Sequence, residues 1–202
     1  MASPVYADLV RPARPGLANA FDAALVAGFS LVIALGAQIA IPLPFTPVPV
    51  TLQTLAVLLA GCLLGSGRGA LAVIAYVAEG CAGLPVFSGG TAGVAHLLGP
   101  TGGYLVGFVA AAYLVGLLAE NGLPLNPLGS LLTLAVGSLV LYVPGLLWLG
   151  IYTGFGRVLT LGFLPFAVGD ALKLAAGWGL LTAAALVTAR ARLYPRLPRG
   201  PQ

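Results

Sequence analysis

An acid and a base sit three residues apart in an apolar run near the end of the chain. The stretch "FAVGDALKLAAGWGLL" carries Asp170 and Lys173 among Ala, Leu, Gly and Val. At i and i+3 on a helix the two share a face and can touch. They make either a structural ion pair that neutralises itself or a ligand site, since charges in such surroundings are costly and mark substrate or ion paths. Both can hold, because a pair can rest closed on itself and open to a ligand. Glu79, in "AYVAEGCAGLP", is a third embedded charge. It reaches either Lys173 across a bundle or the outer interface. Hydrolytic apparatus is missing, with no paired carboxylates, Ser/His/Asp set or H-E-x-x-H motif. No P-loop is present to cradle a nucleotide. His96 is the only histidine and reads as a solvated loop residue. Nothing stands at metal-ligand spacing from it, which argues against a metal site.

Composition decides what surrounds these residues. Of 202 residues, 59% are hydrophobic and only 7% charged, with a mean hydropathy of +1.05. An average soluble domain carries about 25% charged residues, so a soluble fold is excluded and an integral membrane protein expected. Lipid admits only helices or closed barrels, and continuous apolar runs without period-2 alternation favour an all-α bundle. Apolar segments at about 23–41, 51–64, 69–83, 102–119, 128–151 and 163–189 predict six transmembrane helices in one membrane domain over residues 1–202. The second and third are short, and are tilted or begin within the preceding loop. The first is longer than the apolar core of a signal peptide and no A-x-A site follows it. Cys62 and Cys81 fall toward opposite faces, which argues against a disulfide.

Arginines set the orientation. Arg11 and Arg14 precede the first segment, and Arg190, Arg192, Arg196 and Arg199 follow the sixth. An even number of spans with cationic ends places both termini in the cytoplasm and the chain in the cytoplasmic membrane. Arg68 then falls inside as well, and Arg157 is the exception. The net charge of +4 reports orientation and no nucleic-acid partner. On this topology Asp170 and Lys173 lie about 8–12 Å below the outer end of helix six. Thr51 and Gln53 open helix two, Gly102, Gly103 and Tyr104 open helix four, and Gln38, Tyr76 and Glu79 lie near the outer ends of helices one and three. Embedded polar groups thus gather in one leaflet, as an outward-opening pocket would require.

The connections add to this. Prolines 42, 44, 47 and 49 in "PLPFTPVPVTLQTL" make a stiff extended cap over the mouth or a plain rigid linker. The glycines of "SGGTAGVAHLLGPTGGY" let backbone approach a ligand or let a loop move; on glycine count alone it is a flexible connection. Small residues recur in helix one, with Ala20, Ala24 and Gly28 as one series and Ala23 and Ala27 as another, a spacing that allows close helix contact. Trp148 reads as an interface anchor, while Trp178 is mid-helix with no assigned face.

Four stretches in order and spacing, "FTPVPVTLQTLAVLLAG", "GLPVFSGG", "GPTGGYLVGF" and "GDALKLAAG", resemble the BioY family, the biotin-specific S components of energy-coupling-factor transporters. The resemblance implies a six-helix membrane protein that captures biotin from outside. It would work with a transmembrane T component and cytosolic ATPases that hydrolyse ATP, and itself be neither an enzyme nor the holder of a cofactor. Ala20, Ala23, Ala24, Ala27 and Gly28 would supply the small-residue face that meets the T component. Asp170 would accept from the ureido N–H groups, and Lys173 would donate to the ureido carbonyl or balance the acid. Gln53, Thr51, Thr91, Tyr104 and Glu79 would add polar contacts, and Gly89, Gly90, Gly102 and Gly103 would permit close packing. Some members carry a basic residue directly after G-G-Y, suited to the ligand carboxylate. Here it is Leu105, so the tail would turn to Arg157, a loop N–H or water. Two further readings are an S component for another vitamin and an intramembrane enzyme using Asp170 and Glu79 as acid and base on a lipid or isoprenoid.

Overall fold

The computed structural model of the chain describes residues 5–193, and side chains through residue 187. Arg196 and Arg199 lie outside the described residues, as do the side chains of Arg190 and Arg192. In chain order the elements are α1 (Pro15–Gln38), β1 (Ala40–Ile41), β2 (Val50–Thr51), α2 (Gln53–Leu64), α3 (Ser66–Cys81), α4 (Val94–Leu97), α5 (Gly102–Glu120), α6 (Pro127–Thr153), α7 (Val158–Gly162) and α8 (Ala167–Leu193). The predicted apolar segments correspond in order to α1, α2, α3, α5, α6 and α8, of which α2 and α3 are short. Four helical runs, Pro15–Gln38, Gly102–Glu120, Pro127–Thr153 and Phe155–Val187, are long and apolar enough to cross a membrane. α2 has 12 residues and rises only ~18 Å.

Local chemistry explains where the boundaries depart from the apolar runs. α1 begins at Pro15, well before Ala23, because proline at a first helical position sacrifices no hydrogen bond. α2 starts at Gln53 and not Thr51, because the prolines ahead of it resist helix. The chain there forms an antiparallel pair instead, with Ala40 opposite Thr51 and Ile41 opposite Val50. Gly65, at φ 89°, breaks the helix between α2 and α3. Asn126 caps α6 by accepting from the Gly129 N–H at 2.8 Å. The sixth segment begins as a separate 3-10 turn, Leu164–Phe166, before α8.

α5 lies centrally and packs against α2, α3 and α6. Close approach depends on missing side chains: a Cβ on Gly61 would strike the Ala112 carbonyl, and one on Gly116 the backbone at Gly65 and Ser66. In lipid, where apolar contact alone does not drive association, such close packing does. Outward faces carry large apolar residues, including Leu35, Ile151, Val168 and Leu172. α8 makes its helix contacts mainly with α6, and fewer with α2.

The two ends of the bundle differ. At one end Arg68 binds Asp22 at 3.0 Å and also Asp8, and Arg11 binds Asp22 at 2.7 Å. Val5 and Ala7 are buried there against Leu64, Ala72 and Ala119. At the other end α1 and α3 finish, α2, α5 and α8 begin, and the long loops fold over.

Candidate functional site

Those loops roof a cavity of about 570 Å³, counting its open mouth, lined among others by Thr51, Gln53, Thr54, Tyr76, Tyr104, Tyr142, Asp170 and Lys173. Leu105, Phe108, Leu141 and Phe166 form much of its apolar wall. Val48 and Pro49 line it from the proline-rich loop, which is fixed where the Thr46 hydroxyl donates to the Leu161 carbonyl at 2.7 Å. Four residues, Pro49, Ser88, His96 and Thr101, are shared with a wider recess that serves as its mouth.

Asp170 lies in the first turn of α8. Lys173 Nζ donates to Asp170 Oδ1 at 2.8 Å and to Thr54 Oγ1 at 3.0 Å. The Tyr142 hydroxyl donates to Asp170 Oδ2. Tyr142, Asp170, Lys173 and Thr54 therefore form one hydrogen-bonded chain across α6, α8 and α2. Lys173 is 9% exposed, and a charge that buried requires such partners. The pair closes on itself as an ion pair and also lines the cavity.

Two other polar groups in the lining lack partners. Gln53 Nε2 and the Tyr76 hydroxyl are buried with no hydrogen bond from the protein, although Gln53 is 5% and Tyr76 0% exposed. Buried donors of this kind are normally satisfied. The two side chains lie within reach of each other, and both line the cavity. The arrangement suits a ligand with an apolar body and a compact polar group that both donates and accepts.

The remaining sequence candidates fall in three places. Tyr104 lines the cavity, but its hydroxyl donates to the Gly162 carbonyl at 2.8 Å. Gly89 lines the mouth, and Gly89 and Gly90 both hold φ of 69°, which glycine tolerates. Thr91 is exposed beside them, donating to the Ser88 carbonyl at 3.0 Å. Gly102 and Gly103 are not brought to the cavity: a Cβ at Gly102 would meet the Leu97 carbonyl, and one at Gly103 the Trp148 side chain. Glu79 faces α1, 2.9 Å from the Ser30 hydroxyl, and reaches neither Lys173 nor the cavity lining. Arg157 is exposed and lines neither cavity nor mouth.

The loop over the cavity is anchored, not slack. Gln38 Nε2 donates to the carbonyls of Val86 and Phe87 at 3.2 Å, and Trp148 donates its indole N–H to the Gly99 carbonyl at 2.9 Å. Trp148 thus holds the loop and is half-buried. His96 is half-buried as well, stacked on Phe87 with ring centroids 4.6 Å apart, so it is not a solvated loop residue. Trp178 donates to the Pro127 carbonyl at 2.7 Å and ties α8 to the start of α6. On α1, Ala20, Ala23, Ala24, Ala27 and Gly28 are all exposed. Cys62 and Cys81 are both free.

Comparison with known proteins agrees with this geometry. The family model described as the BioY family matches residues 11–192. A protein of Pyrococcus horikoshii named "Probable biotin transporter BioY" is 41% identical over 157 residues, covering 78% of this chain and 91% of the relative. The "Biotin transporter BioY" of Rhizobium etli is 37% identical over 186 residues, covering 88% of this chain and 96% of the relative. The crystal structure of the S-component for biotin from an ECF-type ABC transporter superposes with a TM-score of 0.77 at 27% identity, covering 85% of this chain and 94% of that one.

Proposed function

The chain belongs to the BioY family, and from that premise we propose that it is the biotin-binding S component of an ECF-type transporter, taking biotin into the cavity at the Asp170 end. The observation that carries this reading is the Asp170–Lys173 pair set beside two unpartnered donors, Gln53 Nε2 and the Tyr76 hydroxyl, in an otherwise apolar cavity. Biotin offers the complement: a ureido ring with two N–H donors and one carbonyl acceptor, an apolar sulfur ring and an aliphatic tail. Asp170 accepts from the ureido N–H groups. Lys173, Gln53 and Tyr76 then supply donors to the ureido oxygen, and the apolar wall covers the sulfur ring. Thr51 stands at the edge of this head-group site.

In this reading all six of these helices belong to one membrane domain, α2 and α3 as short or tilted spans. The cavity opens outward, and both termini lie in the cytoplasm. Arg11 and Arg68 share the end opposite the cavity, which is where cationic groups belong if that end is cytoplasmic. The exposed small residues of α1, Ala20, Ala23, Ala24, Ala27 and Gly28, meet a transmembrane T component, and cytosolic ATPases drive the cycle. The location that follows is the cytoplasmic membrane.

Titration of biotin into the purified protein, with thiamin and riboflavin as controls, tests the ligand. We expect one-to-one biotin binding that Asp170→Asn weakens by about a hundredfold or more, since a hydrogen-bonded charge at the head group is lost and Lys173 is left unpaired. Binding of a control vitamin in place of biotin would overturn the assignment.

A further inference from the structure

Biotin also carries a carboxylate, and the cavity's one formal cation is already engaged. Lys173 is held by Asp170 and Thr54. The position after G-G-Y is the apolar Leu105, and Arg157 stands apart from cavity and mouth. Among the described lining residues the other basic group is His96, which belongs to both the cavity and its mouth.

Its surroundings fix which nitrogen carries hydrogen. The Thr91 hydroxyl donates its single hydrogen to the Ser88 carbonyl at 3.0 Å. At 3.0 Å from His96 Nδ1, the same oxygen can therefore only accept. Nδ1 is then the protonated nitrogen of the neutral ring, and Nε2 is left as a bare acceptor. Nε2 lies 3.5 Å from the hydroxyl of Thr101, another residue of cavity and mouth. Stacking on the fully buried Phe87 keeps the ring in place.

No carboxylate of the described protein faces this ring. Of the groups on α3, Tyr76 meets Phe87 edge-on and Glu79 turns to Ser30. On α5, Tyr104 is bonded to the Gly162 carbonyl. Asp170 and Lys173 pair with each other deeper in the cavity, and the proline-rich loop and the segment 84–101 contain no other ionisable side chain. Burial lowers the His96 pKa from its ordinary 6.5, so the empty site holds the ring neutral.

Resting on the biotin reading, we propose that His96 is the cationic partner of the ligand carboxylate. It takes a proton from solvent at Nε2 as the ligand enters and donates that N–H to the carboxylate. The proton returns to solvent on release. Capture is thereby linked to uptake of one proton, and the carboxylate is recognised at the mouth while the ureido group is recognised at Asp170.

The test compares biotin with its uncharged carboxamide across pH 5.5–8, above the range near 4 where a carboxylic acid itself titrates. Any titration of the head-group site affects both ligands alike, so the ratio of their affinities isolates the tail. We expect that ratio to rise in favour of biotin as pH falls, by at most about tenfold per pH unit. Calorimetry in buffers of different ionisation heat should register proton uptake with biotin and not with the carboxamide. His96→Gln should flatten the ratio. A ratio constant with pH in the parent protein, with no proton uptake, would overturn the proposal while leaving biotin binding intact. Binding of neither ligand at any pH would overturn the biotin reading and this inference with it.

Discussion

The Tyr142 hydroxyl and Lys173 Nζ hold opposite oxygens of one carboxylate, Oδ2 and Oδ1 of Asp170. Because the partners come from α6 and from α8 itself, the acid presented to the cavity cannot rotate freely. The free energy of orienting it is spent in folding, before any ligand arrives. It also gives α8, which has few neighbours, a polar tie to the bundle.

Removing that tie should weaken capture. Hydrogen bonds to charged groups contribute about 1.5–3 kcal/mol, so Tyr142→Phe is expected to lower biotin affinity roughly ten- to a hundredfold. Titration calorimetry checks this, and an affinity equal to the parent's would mean that the phenol does not position Asp170.

The ion pair makes a second, separable prediction about stability. Breaking a buried pair from one side costs about 3–5 kcal/mol, whereas replacing both members by apolar groups is often neutral. Lys173→Met should therefore lower the melting temperature in detergent, and Asp170→Leu combined with Lys173→Met should restore much of it. Neither variant is expected to bind biotin. A double variant less stable than the single one would show that the pair is a net stabiliser.

How much of this was legible beforehand depends on the kind of residue. The order of the six helices followed from apolar length alone, and the start of α5 at Gly102 and the span of α6 needed little else. The first turns of α1 were missed because Asn19 and Asp22 interrupt the apolar run; the place of Asp22 is bound up with Arg68, 46 residues away. Asp170, Lys173 and Gln53 stand out as polar residues in lipid. Tyr142 and Thr54 do not, since helices that are apolar all round have no polar face to give their phase. The one available signal was the tyrosine hydroxyl itself, which seeks a partner when buried. Glu79, Gly102 and Gly103 were picked by type, yet they turn to Ser30, Leu97 and Trp148 through contacts only the fold creates.

Gly103→Ala tests that distinction. A Cβ there meets the Trp148 side chain and Pro144, and overpacking of this kind costs about 1–3 kcal/mol. The variant should melt earlier while its folded fraction binds biotin as tightly as the parent. Lost affinity with unchanged melting would instead return Gly103 to the ligand site.

His96 gives the empty protein a pH dependence. Burial lowers its pKa below 6.5, so the unfolded chain binds a proton more readily than the folded one. The stability present above about pH 6.5 is then lost as pH falls through the folded value. Thermal melts from pH 7.5 to 5.5 should show this decline in the parent and less of it in His96→Gln. Equal slopes in both would place the titrating group elsewhere.

The unpartnered pair Gln53 and Tyr76 leads to the most discriminating expectation. Leaving a buried polar group unsatisfied costs about 1–3 kcal/mol, and both groups are buried without a protein partner. If the ligand is what satisfies them, function and stability must oppose each other here. Tyr76→Phe keeps the ring that meets Phe87 edge-on, with centroids 5.6 Å apart, and removes only the orphan hydroxyl. The empty variant should therefore melt higher than the empty parent. With saturating biotin the order should narrow or reverse, because the parent alone gains the hydrogen bond. Gln53→Leu should behave alike, with a larger loss of affinity since both its amide ends are removed. Melting curves with and without biotin decide the matter in one experiment. A variant that is less stable when empty would mean that the hydroxyl is already satisfied, and that the cavity's second polar pole does not await a ligand.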